Sequence, residues 1–140
     1  MPKKTDSPRK RVTRQELNDL DLEIAFMEGI IRRDSGYVEA LQVLGDDYTR
    51  RGHYVEGLKI DEILSRLRPE DCLVHYNLAC SYSLTDLCDL AIESLEAAIN
   101  LGYRDFKWMA QDPDLKNLRE RAEYGKIRAK VRELQRANAP

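Results

Sequence analysis

The chain has 140 residues, of which 42% are hydrophobic and 34% are charged, and its net charge is −2. This length fits one domain, no apolar run is long enough for a transmembrane helix, and the basic start lacks the apolar segment of a secretory signal. The 3 cysteines, an odd number, favour free thiols in a reducing compartment over a disulfide framework, so we expect a cytoplasmic protein.

Charge is distributed unevenly along the chain. Residues 1–14 carry a net charge of +5, residues 15–117 carry −11, and residues 118–140 carry +4. Residues 1–12 hold two prolines and few apolar side chains, so we expect a disordered basic tail. Basic ends can attract nucleic acid, but the acidic body interrupts the basic patch and argues against nucleic acid as a partner.

A first helix is predicted over about residues 14–33. Thr13 and Glu16 form the pattern of a capping box, in which each side chain accepts a hydrogen bond from the backbone of the other residue. Ser35 and Gly36 end the helix. We expect it to cap the N-terminal end of the helices that follow. Its apolar face, at three- and four-residue steps, comprises Leu17, Leu20, Ile24, Met27 and Ile31.

Four further helices are predicted before residue 101. Gly52 breaks the first pair at its turn, and Pro69 prevents the second of these helices from continuing. Gly102 is a C-terminal stop for the last of them. Their predicted ranges are about 37–51, 54–67, 71–84 and 87–100.

A C-terminal helix or helix pair is predicted over about residues 113–136, so that the folded domain spans residues 13–137. Asp112 and Pro113 read as an N-cap followed by proline at the first helical position, and Gly125 is the expected bend. The apolar stripe must cover the end of the preceding helices or pair with another chain. It comprises Leu118, Ala122, Ile127, Val131 and Leu134.

The middle of the chain reads as two copies of a 34-residue unit, residues 38–71 and 72–105. Small residues at the same positions of each copy allow close approach of two helices, and a tyrosine fills the space between them. The matching pairs are Leu44 and Leu78, Gly45 and Ala79, Tyr48 and Tyr82, and Gly57 and Ala91. This register resembles the tetratricopeptide repeat family. Two residues depart from the family pattern. Asp61 occupies a position that usually holds a large aromatic or apolar residue, and Asp86 occupies the position of the turn glycine in the second copy.

The resemblance implies an all-α, helical-repeat α-solenoid of antiparallel helix pairs, with capping helices at both ends. In this family the first helix of each unit lines a concave groove that binds a peptide or a partner helix. Some of these positions can instead pack against the terminal helices. The groove positions in this chain are Glu39, Gln42, Val43, Asp46, Thr49 and Arg50 in the first copy, and Leu73, Tyr76, Asn77, Cys80, Ser83 and Leu84 in the second.

The groove residues predict the chemistry of a ligand. Tyr76 and Leu73 offer an aromatic and an aliphatic contact, whereas Glu39 and Asp46 favour Lys or Arg on the partner. The family's clamp for a peptide C-terminal carboxylate requires Lys and Asn at two positions that hold Gln42 and Asp46 here. Because Asp46 would repel a carboxylate, we reject that clamp.

No residues form a convincing catalytic or metal site. Cys72 and His75 share a helical face, but Cys80 and Cys88 fall in other parts of the unit, and zinc needs converging ligands. Cys80 has no histidine within one helical turn to act as a base. A Gly-rich phosphate loop is absent. We therefore expect a non-enzymatic protein without cofactor or metal.

Three functions follow from these patterns. The first is a protein-interaction module that binds a protein or peptide partner in an open groove. The second is a self-associating adaptor, a homo-oligomer, whose groove is filled by its own helices. The third is a nucleic-acid-associated protein that uses its basic ends.

Overall fold

The computed structural model describes residues 12–139, and within that range the fold is all-α, without strands. The all-α part of the predicted fold class is confirmed, whereas most of the predicted basic tail, residues 1–11, lies outside the described residues. The helices are α1 (Arg14–Arg33), α2 (Val38–Arg51), α3 (Tyr54–Leu67), α4 (Cys72–Leu84), α5 (Cys88–Asn100), α6 (Phe106–Met109), α7 (Lys116–Arg119) and α8 (Gly125–Ala137), and two 3-10 turns span Pro113–Leu115 and Ala122–Tyr124.

Helix α1 begins with the predicted capping box. The Thr13 hydroxyl accepts a hydrogen bond from the Glu16 backbone N–H at 3.1 Å, and the Glu16 carboxylate accepts one from the Thr13 backbone N–H at 3.2 Å. Two apolar side chains of α1, Leu20 and Ile24, are buried, and Ile24 packs with Leu41 of α2 in one apolar cluster. The capping box and the apolar face together place α1 on α2, as predicted.

Helices α1 to α5 pack in consecutive order, each against the next. Their observed bounds differ from the predicted ones by at most one residue at each end. Two apolar cores result. The first lies between α1, α2, α3 and the start of α4. The second lies between α4, α5 and residues 106–137, called here the C-terminal segment.

One tyrosine–glutamate contact occurs twice with the period of the repeat. The Tyr48 hydroxyl of α2 donates to the Glu28 carboxylate of α1, and the Tyr82 hydroxyl of α4 donates to the Glu62 carboxylate of α3 at 3.1 Å. Both members of the second pair lie 34 residues after those of the first. Helix α1 therefore holds the same place before α2 as α3 holds before α4.

The small residues of the register permit close helix contacts. A Cβ atom added at Gly45 of α2 would lie 3.2 Å from Ile60 Cγ2 and 3.3 Å from Asp61 Oδ1, both on α3. Ala79, at the same position of α4, is fully buried. A larger side chain at either position would separate the helices of its pair.

The turn inside each helix pair has the same left-handed backbone. Gly52 has φ 89°, and Asp86, 34 residues later, has φ 61°. Asp86 thus fills the turn position although it is not glycine, because a short polar side chain tolerates this region better than most residues do. The sequence departure at Asp86 leaves the turn geometry unchanged.

Gly52→Ala should lower the free energy of unfolding by about 1 kcal/mol, because alanine is strained at positive φ. Gly125→Ala is the matched control: Gly125 has φ −54° at the start of α8, and nothing lies within 4 Å of an added Cβ. It should raise stability by about 0.5–1 kcal/mol. Urea unfolding measures both, and equal effects of the two variants would contradict the assignment of the Gly52 turn.

The C-terminal segment differs from the predicted helix or helix pair. Asp112 does cap the following turn, accepting from the Asp114 backbone N–H at 3.0 Å, but that turn is 3-10 and short. The chain breaks again near Glu120, and Gly125 begins α8 instead of bending a helix. Ala122 of the predicted stripe is exposed. Short elements let this segment turn several apolar side chains toward one core, which a single helical stripe cannot do. The buried ones are Trp108, Met109, Leu115, Leu118, Tyr124 and Ile127.

Candidate functional site

The predicted groove positions lie on α2 and α4 with very different exposures. Glu39, Asp46 and Arg50 are exposed, Gln42, Val43, Leu73, Asn77 and Leu84 are half-buried, and Thr49, Tyr76, Cys80 and Ser83 are buried. The structure therefore divides the predicted groove into an accessible part, mainly on α2 and at the start of α4, and a covered part on the rest of α4.

A narrow cleft of about 90 Å³ lies between α2, α3 and α4 and is called here the α2/α4 cleft. Six of the twelve predicted groove residues line it: Gln42, Asp46, Thr49, Leu73, Asn77 and Cys80. Asp61 and Asp71 also line it and add carboxylates to that of Asp46. The α2/α4 cleft has room for one side chain, not for a drug-sized ligand, whose pockets measure roughly 300–1,000 Å³.

The expectation that Tyr76 is an exposed aromatic contact is wrong. Its side chain is 0% exposed, and its ring stacks on Tyr103 with a centroid distance of 4.3 Å. Its hydroxyl donates to Asp112 Oδ2 at 2.7 Å. The physical reason is that the Pro113–Leu115 turn packs on α4 and covers the face that the repeat pattern leaves open.

Asp112 organises this covered region. Its carboxylate is fully buried and accepts from the Tyr76 hydroxyl and, at 3.7 Å, from the Cys80 thiol. Arg119 holds the same loop from outside, since one guanidinium nitrogen donates to the carbonyl oxygens of Met109 and Asp112 at 3.0 and 2.8 Å. Burial, followed by the nearby Cys80 and Asp112 groups, raises the pKa of Tyr76 far above its usual range, so the hydroxyl stays a donor.

The contacts of Asp61 account for its departure from the repeat pattern. It is buried on α3, at a position where the family usually has an apolar side chain, and it accepts a hydrogen bond from the Ser81 hydroxyl of α4. The bond joins the two helix pairs with a polar contact beneath the α2/α4 cleft. Sequence reasoning identified Asp61 as unusual but missed its partner, which lies 20 residues away.

Another buried carboxyl, that of Asp47, lies between α1 and α2. Asp47 is 2% exposed, and its pKa is raised from 3.8 to about 8, first by burial and then by hydrogen bonding to and repulsion from Glu23. A proton on this carboxyl removes both the desolvation cost of the charge and the repulsion. Asp47 therefore stays protonated in the folded chain well above the pH at which the unfolded chain loses this proton.

The free energy of unfolding should fall as pH rises from about 5 to about 8, because folded Asp47 holds a proton that the unfolded chain has released. Asp47→Asn removes this dependence and should raise stability at about pH 8 by at least about 1 kcal/mol relative to the parent. Asp89→Asn, which removes an exposed carboxylate on α5, is the control. Urea unfolding across that pH range measures the effect, and parallel curves for parent and Asp47→Asn would contradict it.

The remaining candidates have ordinary structural contacts. The His75 ring forms a hydrogen bond of 2.7 Å with the Pro69 carbonyl oxygen, and within residues 12–139 Cys72, Cys80 and Cys88 form no disulfide. Over residues 12–139, no three or more His, Cys, Asp or Glu side chains converge as metal ligands would. In the same range no helix has the length and apolarity needed to cross a bilayer.

The chain matches no protein-family model. It is similar to a chloroplastic protein of Arabidopsis thaliana, with 36% identity over 83 residues, which is 57% of this chain. The match covers 25% of that relative's length. The likeness is thus confined to one quarter of a longer chloroplast protein.

Proposed function

We propose that this chain is a helical-repeat module of the tetratricopeptide type and that it binds a segment of a partner protein without changing it covalently. The observation that carries the proposal is the α2/α4 cleft, which is lined by residues of both 34-residue units. The repeat-spaced Tyr48 and Tyr82 contacts and the shared turn geometry of Gly52 and Asp86 support the repeat type.

The cleft favours a positively charged side chain on an extended partner segment. Asp46 is exposed at its edge, and Asp71, although it caps α4 through the Leu73 backbone N–H at 2.9 Å, adds negative charge. Leu73 provides an aliphatic contact beside them. A lysine or arginine side chain has the length to enter a narrow cleft, and complementary charge mainly improves specificity and association rate.

The test is an affinity pull-down from the source cell, quantified by mass spectrometry, with the parent and Asp46→Lys as baits. A partner that binds through the α2/α4 cleft should be captured by the parent and lost, or reduced at least about tenfold, with Asp46→Lys. Glu93→Lys is the charge-matched control, because Glu93 is exposed on α5 outside the cleft. Equal capture by both variants would reject the cleft as the binding site.

Self-association is the second candidate, and exposed apolar side chains on α1 favour it. Leu22 is 72% and Phe26 is 66% exposed, one helical turn apart. If two α1 helices pack antiparallel about Phe26, Asp19 of one copy faces Arg33 of the other, since each lies 7 residues from Phe26. Opposite charges at both ends of an apolar contact fit a symmetric dimer.

The double variant Leu22→Gln/Phe26→Gln should convert a dimer into a monomer in sedimentation equilibrium, because it removes the apolar centre of the contact. Val55→Gln is the control, since Val55 is 56% exposed on α3. A parent chain that sediments as a monomer at high concentration excludes the self-associating adaptor.

The nucleic-acid alternative uses both basic ends of the chain. Residues 1–11 lie outside the described part, and the basic C-terminal end is separated from them in the sequence by residues 15–117, whose net charge is −11. A cytoplasmic location remains a prediction, based on the odd number of cysteines in the sequence.

A further inference from the structure

A second cleft lies at the C-terminal end of the fold, on the side of α8 that faces α6. It is called here the C-terminal cleft, and its volume is about 360 Å³. That volume is within the range of roughly 300–1,000 Å³ that small-ligand sites occupy. It shares no lining residue with the α2/α4 cleft.

The lining of the C-terminal cleft is apolar. Met109 and Tyr124 are buried, and Phe106 and Val131 are half-buried. These side chains come from α6, the Ala122–Tyr124 turn and α8, so the surface is held by three elements packed on one core. An apolar side chain inserted here would leave water on contact with two aromatic rings and two aliphatic groups.

The rim of the cleft is positively charged. Arg119, Arg128 and Arg132 line it together with the apolar groups, and no acidic residue does. Arg119 is held by the carbonyl oxygens of Met109 and Asp112. Arg128 lies 4.7 Å from the centre of the Tyr124 ring and donates to the Arg119 carbonyl oxygen at 3.0 Å. Among the described residues, none of the three arginines forms an ion pair.

Arg128 and Arg132 are one helical turn apart on α8, and the same face continues with Arg136. Guanidinium groups bind carboxylates through two parallel hydrogen bonds, and two of the three here are already oriented by backbone or ring contacts. The arrangement therefore combines an oriented guanidinium, that of Arg128, and a second on the same face of α8, that of Arg132, with an apolar floor.

We propose that the C-terminal cleft binds an acidic peptide segment of a partner protein, with one apolar or aromatic side chain inserted between the arginines. Carboxylates on either side of that anchor pair with Arg128 and Arg132, and the anchor packs on Phe106 and Val131, the half-buried apolar groups of the cleft. The proposal goes beyond the α2/α4 cleft, whose charge is opposite, and gives the module a second binding surface for a ligand of opposite charge.

A short acidic segment fits better than a nucleic acid or an anionic membrane. Residues 15–117 carry a net charge of −11, so an extended polyanion or a charged bilayer that reaches beyond the cleft meets repulsion. A short peptide contacts only the arginine rim and the apolar floor. We therefore choose a short acidic peptide, because it does not extend over the acidic part of the surface as a polyanion or a bilayer would.

The experiment is fluorescence anisotropy of a labelled, blocked hexapeptide with two acidic residues on each side of a Leu-Phe pair, titrated with the full chain. We expect saturable binding that weakens as salt rises. The same peptide with alanines in place of Leu-Phe, and the same peptide with glutamines in place of its acidic residues, should each bind at least tenfold more weakly. No saturable binding of the acidic Leu-Phe peptide overturns the proposal.

Arg132→Glu should weaken binding of the acidic peptide at least tenfold, whereas Lys59→Glu, the same charge change on an exposed residue of α3, should change it less than twofold. Arg128→Gln, checked for native circular dichroism, is the second rim variant and should also weaken binding. Equal loss with Lys59→Glu and Arg132→Glu rejects the cleft as the site. Tighter binding of a single-stranded oligonucleotide or of anionic vesicles than of the peptide rejects the peptide as its ligand.

Discussion

Truncation of the chain after Gln111 should abolish cooperative thermal unfolding. The truncation removes four side chains that are at most 3% exposed, Leu115, Leu118, Tyr124 and Ile127, from the core that α4 and α5 share. Each such side chain contributes roughly 1.5–3 kcal/mol on burial, and their sum is comparable to the roughly 5–15 kcal/mol of a whole domain's stability. The loss also uncovers the Tyr76 ring.

Circular dichroism melts and binding of a hydrophobic dye measure this effect. The expected result is a broad, weak transition and strong dye binding at low temperature. The control is a chain that ends at Gln135, which keeps the buried residues of α8 and should melt like the parent. A truncated chain that ends at Gln111 and still unfolds cooperatively within a few degrees of the parent would show that the C-terminal segment is not part of the core.

Asp112→Ala should destabilise the fold by about 3 kcal/mol. The substitution leaves the buried Tyr76 hydroxyl without its acceptor, which costs about 1–3 kcal/mol, and removes the cap of the Pro113–Leu115 turn, which costs about 0.5–2 kcal/mol. Asp112→Asn keeps an oxygen acceptor and should cost less. Urea unfolding of both variants gives the difference directly.

A double-mutant cycle separates the hydrogen bond from the other effects. Tyr76→Phe removes the donor alone, and the double variant removes both partners and leaves neither group buried and unpaired. We therefore expect the double variant to be more stable than the sum of the single effects implies, with a coupling of at least about 1 kcal/mol. Additivity within about 0.5 kcal/mol would mean that Tyr76 and Asp112 do not depend on each other.

The two clefts differ in how the C-terminal segment affects them. Over α4 the segment buries Tyr76, so the open part of the predicted groove is the part that α4 forms with α2. Other parts of the same segment, namely α6, the Ala122–Tyr124 turn and α8, line the C-terminal cleft. One stretch of chain thus removes one surface and forms another, and variants that unfold it should affect both.

The first five helices were predictable from sequence because their determinants are local. The capping box at Thr13 and Glu16, the glycine at the Gly52 turn, and apolar residues at helical spacing each act within a few residues of the chain. The close contacts at Gly45 and Ala79 were also predictable, since the 34-residue register indicates which small residues face a neighbouring helix.

Only the tertiary structure decided which groove residues are accessible. Tyr76 and Leu73 lie on the same helix at spacings that a sequence pattern treats alike, yet one is fully buried and the other is not. The difference comes from the Asp112 loop, which lies 36 residues from Tyr76 in the chain. Periodicity shows which face of a helix is apolar, but what covers that face depends on contacts between distant segments, and the irregular C-terminal segment has no period from which its position could be predicted.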